Sequence, residues 1–598
     1  MLLIYLLTTL LPLLSFAQSI KNLGSSGGNG PSGGIGDVNN PVLKAQSFVT
    51  DAFIPLKQNT TRQLAHGKPP VLEDGTNTTQ ACPPPRTILI DDLPGKRQEM
   101  VGFGYSWTDS SVEVLNRLTP ELQDQVLKEL FSPEGNNMGM MRHTIGSSDM
   151  SGRQYSFDDN GPGFNEGQPD LSLSNFDLGE DGTAMLEMLA RMGSYKSDVF
   201  RIGSPWSYPG WMKHNGLFIA PNLDAGTSYN VLNNSFDRQY IPQAIEYFTK
   251  YLDAYASRGV RVNGLTLMNE PLNYKGGYPC MYLDSADGAD ILNHGLGTVL
   301  KDRDIALLAY DHNTDQPMYP SQMLQRAEGY VDAAAWHCYA YLANYSVMDD
   351  FNYAYPETPQ FMTECSNYLP QTAALNWQVV NAFVPAVQHG AAGASMWVLA
   401  TDPDFGPHSP YGGCAGCQGA IIVNSSTSYL KTNDYYVVGQ FSRFIRRGAF
   451  NYRVLKGNEG NHLKPNQFNL IAAQNPDRSW AIVFVNNLNR TENVRLEFTG
   501  SANVWEGVVP NSTVTTWLIP ADEVLRKNET GPSTSTPPFA LYNATSTAAG
   551  PTGAGGGKGN GSCVLPPVTL STTSSATSST TPLIPVPHTI NVIEQNVL

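Results

Sequence analysis

The 598-residue chain is short of charge. Lys, Arg, Asp and Glu make up 15% of it, against roughly 25% in an average soluble domain. Basic residues are the scarcer sign: 37 Lys and Arg face 53 Asp and Glu, a net charge of −16. That excludes the basic groove a nucleic-acid binder needs. It also leaves little attraction for anionic membranes or polyanionic substrates. Beyond Met1–Ala17, no stretch approaches the ~20 apolar residues of a transmembrane helix. His143, His214, His312 and His337 are scattered and form no HExxH zinc motif. Ile145-Gly146-Ser147-Ser148 is not a G-x-S-x-G nucleophile elbow. No repeat of solenoid period occurs. Cysteine is sparse and odd in number, seven in all, so at least one thiol is free or pairs between chains. Cys414 and Cys417 have no second CxxC and no His pair nearby, which makes a local disulfide the better reading than a metal or redox site.

Met1–Ala17 is an apolar run ending in Ser15-Phe16-Ala17, small residues at −3 and −1 of a secretory cleavage site before Gln18. A membrane anchor is the alternative, disfavoured by the short run and by Pro12. Ten N-x-[ST] sequons agree with secretion, at Asn59, Asn77, Asn233, Asn344, Asn424, Asn489, Asn511, Asn528, Asn543 and Asn560. The expected location is extracellular or cell-wall associated. Residues 18–80 read as a Gly/Ser-rich disordered segment from which no core is built, and 523–598 as a Gly/Ser/Thr/Pro-rich disordered tail.

Between these ends, eight short apolar runs alternate with helical patterns. The runs lie near 100–105, 138–143, 199–204, 263–269, 305–310, 331–337, 359–364 and 393–398. Thr119-Pro120 caps a helix whose Leu122, Val126, Leu127 and Leu130 share a face. Ile245, Phe248, Leu252 and Tyr255 make another stripe, stopped by Gly259. This order predicts a (β/α)8 TIM barrel over 95–445. A doubly wound open sheet is the alternative, but no Gly-rich phosphate loop follows an early strand. FNLIAAQ, SWAIVFVNN, VRLEFTG and TVTTWLI then predict an antiparallel β-sandwich, formed by 446–522 with 81–94.

A barrel of this kind carries its chemistry at the C-terminal ends of its strands. The fourth run ends Asn269-Glu270-Pro271 and the seventh Thr363-Glu364-Cys365. Paired carboxylates on one rim are what glycosidic cleavage needs: one protonates the leaving oxygen, the other attacks or activates water. A rim salt bridge is the plainer reading of either alone. Tyr105, Trp107 and Asp109, Arg142 and Asp149, Trp206, Trp336 and Tyr339, and Trp397 end or follow other runs. Aromatic walls with a few polar groups suit a sugar ring, although core packing is the commoner fate of each aromatic.

GFGYSWTDS, MRHTIGSSDMS, GSPWSYPGWMKHNG, LTLMNEPLNY, AAWHCYA, QFMTECSN and ASMWVLATDP occur in this order across roughly 86–520. Together they resemble glycoside hydrolase family 30, the glucosylceramidase-like family of retaining β-glycosidases. The resemblance implies a barrel with a side sandwich. It implies Glu270 as acid/base, Glu364 as nucleophile, and Arg142, Asp149, Trp206, Asn269, Tyr339 and Trp397 as sugar-contacting or adjacent positions. Asn269 would contact the 2-hydroxyl. No cofactor and no metal is implied, the partner is a β-glucan or β-glucoside, and a monomer is expected. Among family activities, endo-β-1,6-glucanase on wall glucan ranks first and glucosylceramidase second, with xylan and β-1,6-galactan cleavage lower. Leu217-Phe218-Ile219-Ala220 is the candidate apolar rim that a lipid substrate would call for. A wall-binding protein without catalysis is the alternative of another class.

Overall fold

A computed structural model describes residues 41–52, 62–73, 84–161, 167–221, 234–340, 344–366, 377–459 and 466–521. The expected signal peptide, the tail 523–598, Cys82 and Cys563 lie outside them. Eight parallel strands close into a barrel: β1 (Gly102–Trp107), β2 (Met140–Ile145), β3 (Phe200–Pro205), β4 (Gly264–Leu265), β5 (Ala306–Asn313), β6 (Ala333–His337), β7 (Gln360–Glu364) and β8 (Ala391–Met396). They follow chain order round the barrel, β8 pairing back to β1. Each coincides with one of the eight apolar runs.

Alternation sorts the side chains. Met140, Phe200, Ile202, Ala306, Leu308, Ala333, Ala335 and Phe361 fill the lower barrel interior. Their neighbours Met141, Leu307, Ala309, Ala334 and Met362 join the larger core shared with the helices. β4 is only two residues long, and its Gly264 lets the interior close: a Cβ there would meet Leu308 Cδ1 at 2.8 Å. Among the covering helices, α1 (Pro120–Phe131) starts at Thr119 with Pro at its first position and buries Val126, Leu127 and Leu130. Helix α2 (Ile241–Ser257) buries Phe248, Leu252 and Tyr255, and Gly259 just beyond it takes φ +72°.

Two sheets pack as a sandwich beside the barrel. The seven-stranded sheet runs Ala65–His66, Gln46–Asp51, Thr513–Ile519, Trp480–Asn486, Phe468–Gln474, Phe450–Tyr452, Lys96–Glu99. Its central strands are buried on both faces, which is why Trp480–Asn486 and Phe468–Gln474 read as mainly apolar runs. Phe468, Leu470, Ile482 and Phe484 face the second sheet, while Ile471, Ala473, Ala481 and Val483 join the barrel core. The second sheet runs Val454–Lys456, Arg86–Ile90, Glu492–Phe498, Val504–Val509, Val71–Glu73. Its pairings are antiparallel except that Arg86–Ile90 runs parallel to Glu492–Phe498.

Three expectations need correction. Residues 18–80 were expected to build no core, but Gln46–Asp51 pairs along its length with Thr513–Ile519 and buries Phe48 and Val49. A six-residue strand is hidden when its window is averaged with Gly- and Ser-rich neighbours. The barrel was expected from 95, but Lys96–Glu99 belongs to the sandwich, paired with Phe450–Tyr452. The strand Val504–Val509 went unread because VWEGVV lacks clean alternation.

Candidate active site

The rim is built where apolar strands turn polar at their C-terminal ends. On β2, Met140 points into the barrel and Arg142, two residues on, does the same one layer higher. Arg142 is fully buried. Its guanidinium donates to Glu364 Oε2 at 2.8 Å, Asp311 Oδ2 at 2.8 Å, Asn269 Oδ1 at 2.7 Å and Ser204 Oγ at 3.2 Å. It lies 4.7 Å from the Trp206 ring centroid, and the Trp206 and Trp397 centroids are 5.2 Å apart. One residue beyond Arg142, His143 points outward and bonds Tyr251 of α2 at 2.6 Å.

Glu270 and Glu364 converge. With His337 they offer ligand atoms that all lie within 4.8 Å of one another. Tyr339 donates its hydroxyl to Glu364 Oε1 at 3.0 Å. Glu270 sits in the left-handed region at φ +47°, its amide donating to Asp311 O at 3.0 Å. Its Oε2 accepts from Asn273 Nδ2 at 3.1 Å, and Asn273 also donates to Tyr278 Oη at 2.6 Å. Burial alone would raise the Glu270 carboxyl, but His312 and His337 hold it down at about 2. Glu364 is raised by burial and by the charges of Glu270 and Asp311, against the pull of His337 and Arg142. Asp149 is pushed up to about 8 by burial and by the charges of Glu364 and Glu270.

Asp311 ties the site together, and sequence reading missed it. Ala306 and Leu308 of β5 face inward, so strict alternation would put Tyr310 inward next. Instead the register slips between Tyr310 and His312, and Tyr310 and Asp311 adopt φ +86° and +60°. This bulge, a device common beside active sites, turns Asp311 inward and Tyr310 out into the helix-facing core. The Asp311 carboxylate accepts from Arg142, Ser204 (2.8 Å), Thr266 (2.9 Å), Thr363 (2.6 Å) and His337 Nε2 (3.1 Å). His337 was set aside for want of a metal motif, yet its Nδ1 lies 3.3 Å from Glu270 Oε1. The available signal was position: both residues stand at the polar ends of apolar runs.

Six of the expected positions gather here: Arg142, Asn269, Glu270, Glu364, Tyr339 and Trp206, with Trp397 against Trp206. Asp149 faces the two glutamates from the loop after β2, where Asp109 receives a hydrogen bond from Ser151 two residues along that loop. Trp107 and Trp336 do not line the site. They point outward into the core, Trp107 against Phe131 and Trp336 donating to Gln360 Oε1 at 2.8 Å. Phe218, Ile219 and Ala220 are buried, so they form no apolar rim. Among the described residues, Glu270, His337 and Glu364 are also the group close enough to hold a metal ion. Arg142 already supplies the compensating positive charge beside Glu364.

Disulfides brace the rim. Cys338–Cys365 links the ends of β6 and β7, and Cys414–Cys417 closes the expected local loop. Cys417 packs with Trp206 and Trp397. Cys280 is a buried free thiol.

Residues 100–445 match the family model for the TIM-barrel domain of glycosyl hydrolase family 30. The chain belongs to glycosyl hydrolase family 30. An endo-1,6-β-D-glucanase of Neurospora crassa is 39% identical over 446 residues, 73% of this chain and 88% of that one. One from Trichoderma harzianum is 39% identical over 444 residues, 73% and 87%. A mouse lysosomal acid glucosylceramidase is 28% identical over 467 residues, 72% and 83%. A solved endo-β1,6-glucanase shares the fold at TM-score 0.66 and 22% identity, covering 80% of this chain and 99% of that one.

Proposed function

We propose that this family 30 glycoside hydrolase is an endo-β-1,6-glucanase that works by double displacement, with Glu270 as acid/base and Glu364 as nucleophile. The observation that carries the mechanism is that an oxygen of Glu270 lies within 4.8 Å of an oxygen of Glu364, too close to leave room for a water between the two groups. Retaining enzymes hold theirs about 5–5.5 Å apart, while inverting enzymes leave about 6.5–9.5 Å for a water. The family's retaining chemistry agrees. Arg142 and Tyr339, both donors, aim the Glu364 oxygens and favour their ionised form. Glu270 protonates the leaving oxygen as Glu364 attacks the anomeric carbon. Glu270 then activates the water that releases the sugar with its β configuration. Trp206, Trp397, Asp149 and Asn269 surround the ring being cleaved.

The linkage rests on the fungal β-1,6-glucanases at 39% identity, well above the glucosylceramidase at 28%. The burial of Phe218–Ala220 takes away the one segment read as a candidate lipid-facing rim for the latter. Extracellular action fits the two disulfides and the exposure of Asn344, Asn424, Asn489 and Asn511, the four sequon asparagines among the described residues. The test is a time course on linear β-1,6-glucan read by mass spectrometry, with Glu364→Gln as control. A ladder of short oligomers absent from the variant is expected. No product from wild type, with turnover of glucosylceramide in mixed micelles, would overturn the substrate.

A further inference from the structure

His337 is wholly buried among three carboxylates. Nε2 lies 3.1 Å from Asp311 Oδ1, and Nδ1 lies 3.3 Å from Glu270 Oε1 and 3.9 Å from Glu364 Oε1. An ionised carboxylate only accepts. Asp311 also takes hydrogen bonds from Arg142, Ser204, Thr266 and Thr363, so it is ionised and Nε2 must carry a hydrogen to face it. The bond on the other side of the ring then holds one proton between Nδ1 and Glu270 Oε1. That proton makes either an imidazolium facing a carboxylate or a neutral imidazole facing a carboxylic acid.

The surroundings decide between the two. The charged and titratable groups facing His337 are Glu270 after β4, Asp311 and His312 on β5, Arg142 on β2 beyond Asp311, and Glu364 on β7. The Tyr339 ring stands edge-on with its centroid 6.0 Å away. Burial pushes His312 below the ordinary imidazole range, against the pull of Glu270. Burial also acts against charge on His337, yet Glu364, Asp311 and Glu270 lift it to about 9. Granted the retaining mechanism proposed above, we propose that the proton Glu270 delivers to the glycosidic oxygen is stored on Nδ1 of His337 in the free enzyme. His337 is thus a positioning residue for the acid.

Each step balances. The proton passes from Nδ1 to Glu270 Oε1, leaving a neutral imidazole and a carboxylic acid. The carboxyl turns, gives the proton to the leaving oxygen as that bond to the anomeric carbon breaks, and the aglycone departs as an alcohol. Glu364 is now an ester, so the negative charge 3.9 Å from Nδ1 is gone. With neutral His337 beside it, the Glu270 carboxylate takes a proton from water. When Glu364 is released as a carboxylate, the proton returns to Nδ1.

Neutron diffraction at pH 6 tests the storage directly. In the free enzyme deuterium is expected on both Nδ1 and Nε2 and absent from Glu270. In enzyme trapped as the 2-deoxy-2-fluoroglycosyl ester of Glu364, Nδ1 is expected bare. A bare Nδ1 in the free enzyme overturns the proposal. Kinetics of His337→Gln give a second readout. On β-1,6-glucan, kcat/KM should fall on the order of 100-fold, the lower end for a lost acid, with the alkaline limb of the pH profile shifted. On a dinitrophenyl β-gentiobioside, whose leaving group needs no proton, it should fall less than about threefold on the same grounds. Equal losses on both substrates would make His337 merely structural. Wild type cleaving neither substrate would instead remove the functional reading, while the neutron result still locates the proton.

Discussion

Replacing Asp311 with Asn keeps its shape and removes its charge. Oδ2 accepts from Arg142, Ser204 and Thr266, and Oδ1 from Thr363 and His337. An amide has one acceptor oxygen, so its NH2 must face donors whichever way it is turned. Ser204 and Thr266 lie 2.6 Å apart and can satisfy each other. The guanidinium of Arg142 has no such substitute. Stripping a partner from a buried ion pair costs about 3–5 kcal/mol, and because Glu364 and Asn269 still hold Arg142 we expect the lower end, about 3 kcal/mol. The cost should depend on pH in a defined sense. Burial pushes the Asp311 carboxyl up, but Arg142 and His337 hold it well below the usual carboxylate range. A depressed acid contributes stability that is complete above its unfolded value, near 4, and is lost as pH falls toward the folded value. Urea unfolding of wild type and Asp311→Asn, followed by tryptophan fluorescence, should therefore show a constant gap from about pH 5 to 7 that narrows below about pH 4. A gap under ~1 kcal/mol at pH 6, the size of one neutral hydrogen bond, would refute the idea that Asp311 anchors Arg142. So would a gap that widens in acid.

Asp149→Asn should act in the opposite direction. Because the folded carboxyl is raised to about 8, wild type loses stability as pH climbs from near 4 to about 8, so the variant's melting temperature should exceed wild type by an amount that grows over that window and then levels; a variant less stable at pH 7 would contradict this. The same variant should raise KM for glucan, since Asp149 faces the site. Glu270→Gln should lower kcat/KM on β-1,6-glucan by roughly 10²–10⁴-fold while sparing a dinitrophenyl glycoside; equal losses would deny Glu270 the acid role. The disulfides should rank by the loop each closes, 27 residues of separation for Cys338–Cys365 and 3 for Cys414–Cys417. Paired Cys→Ser variants should lose about 3.5 and about 2 kcal/mol, read by urea midpoint. Equal losses would indicate that rim packing, not chain entropy, sets their worth.

The fold was legible where burial imposed a pattern. The barrel strands are short apolar runs bounded by helical stripes, and all eight stood out. The sandwich strands stood out because the central strands of the seven-stranded sheet are covered on both faces. Gln46–Asp51 was lost because QSFVTD lies in a stretch whose average composition is polar and glycine-rich. Within the site, Glu270 and Glu364 were legible because each ends an apolar run with a turn residue or a cysteine after it. Trp107 and Trp336 were misplaced for the converse reason. Each is near a strand end, but alternation points it outward, and counting from the inward-facing Ala333 and Ala335 would have shown that Trp336 faces the helices.

Asp311 shows where such counting stops working. Parity on β5 assigns the inward position to Tyr310, and only a bulge with two residues at positive φ gives it to Asp311. Non-glycine residues held there cost of order 1–3 kcal/mol each. That cost is offset by five hydrogen bonds into one carboxylate, including two from cationic partners. The bulge thus lets a strand apolar enough to close the barrel also carry a buried acid to its pocket end. Nothing local in AYDHN requires this, because the groups that reward it come from β2, β3, β6 and β7 and from Thr266 beyond β4. The charge of Asp311 in turn fixes the hydrogen on His337 Nε2, which leaves Nδ1 to face Glu270. A non-local feature of one strand thereby sets where a proton rests on the next.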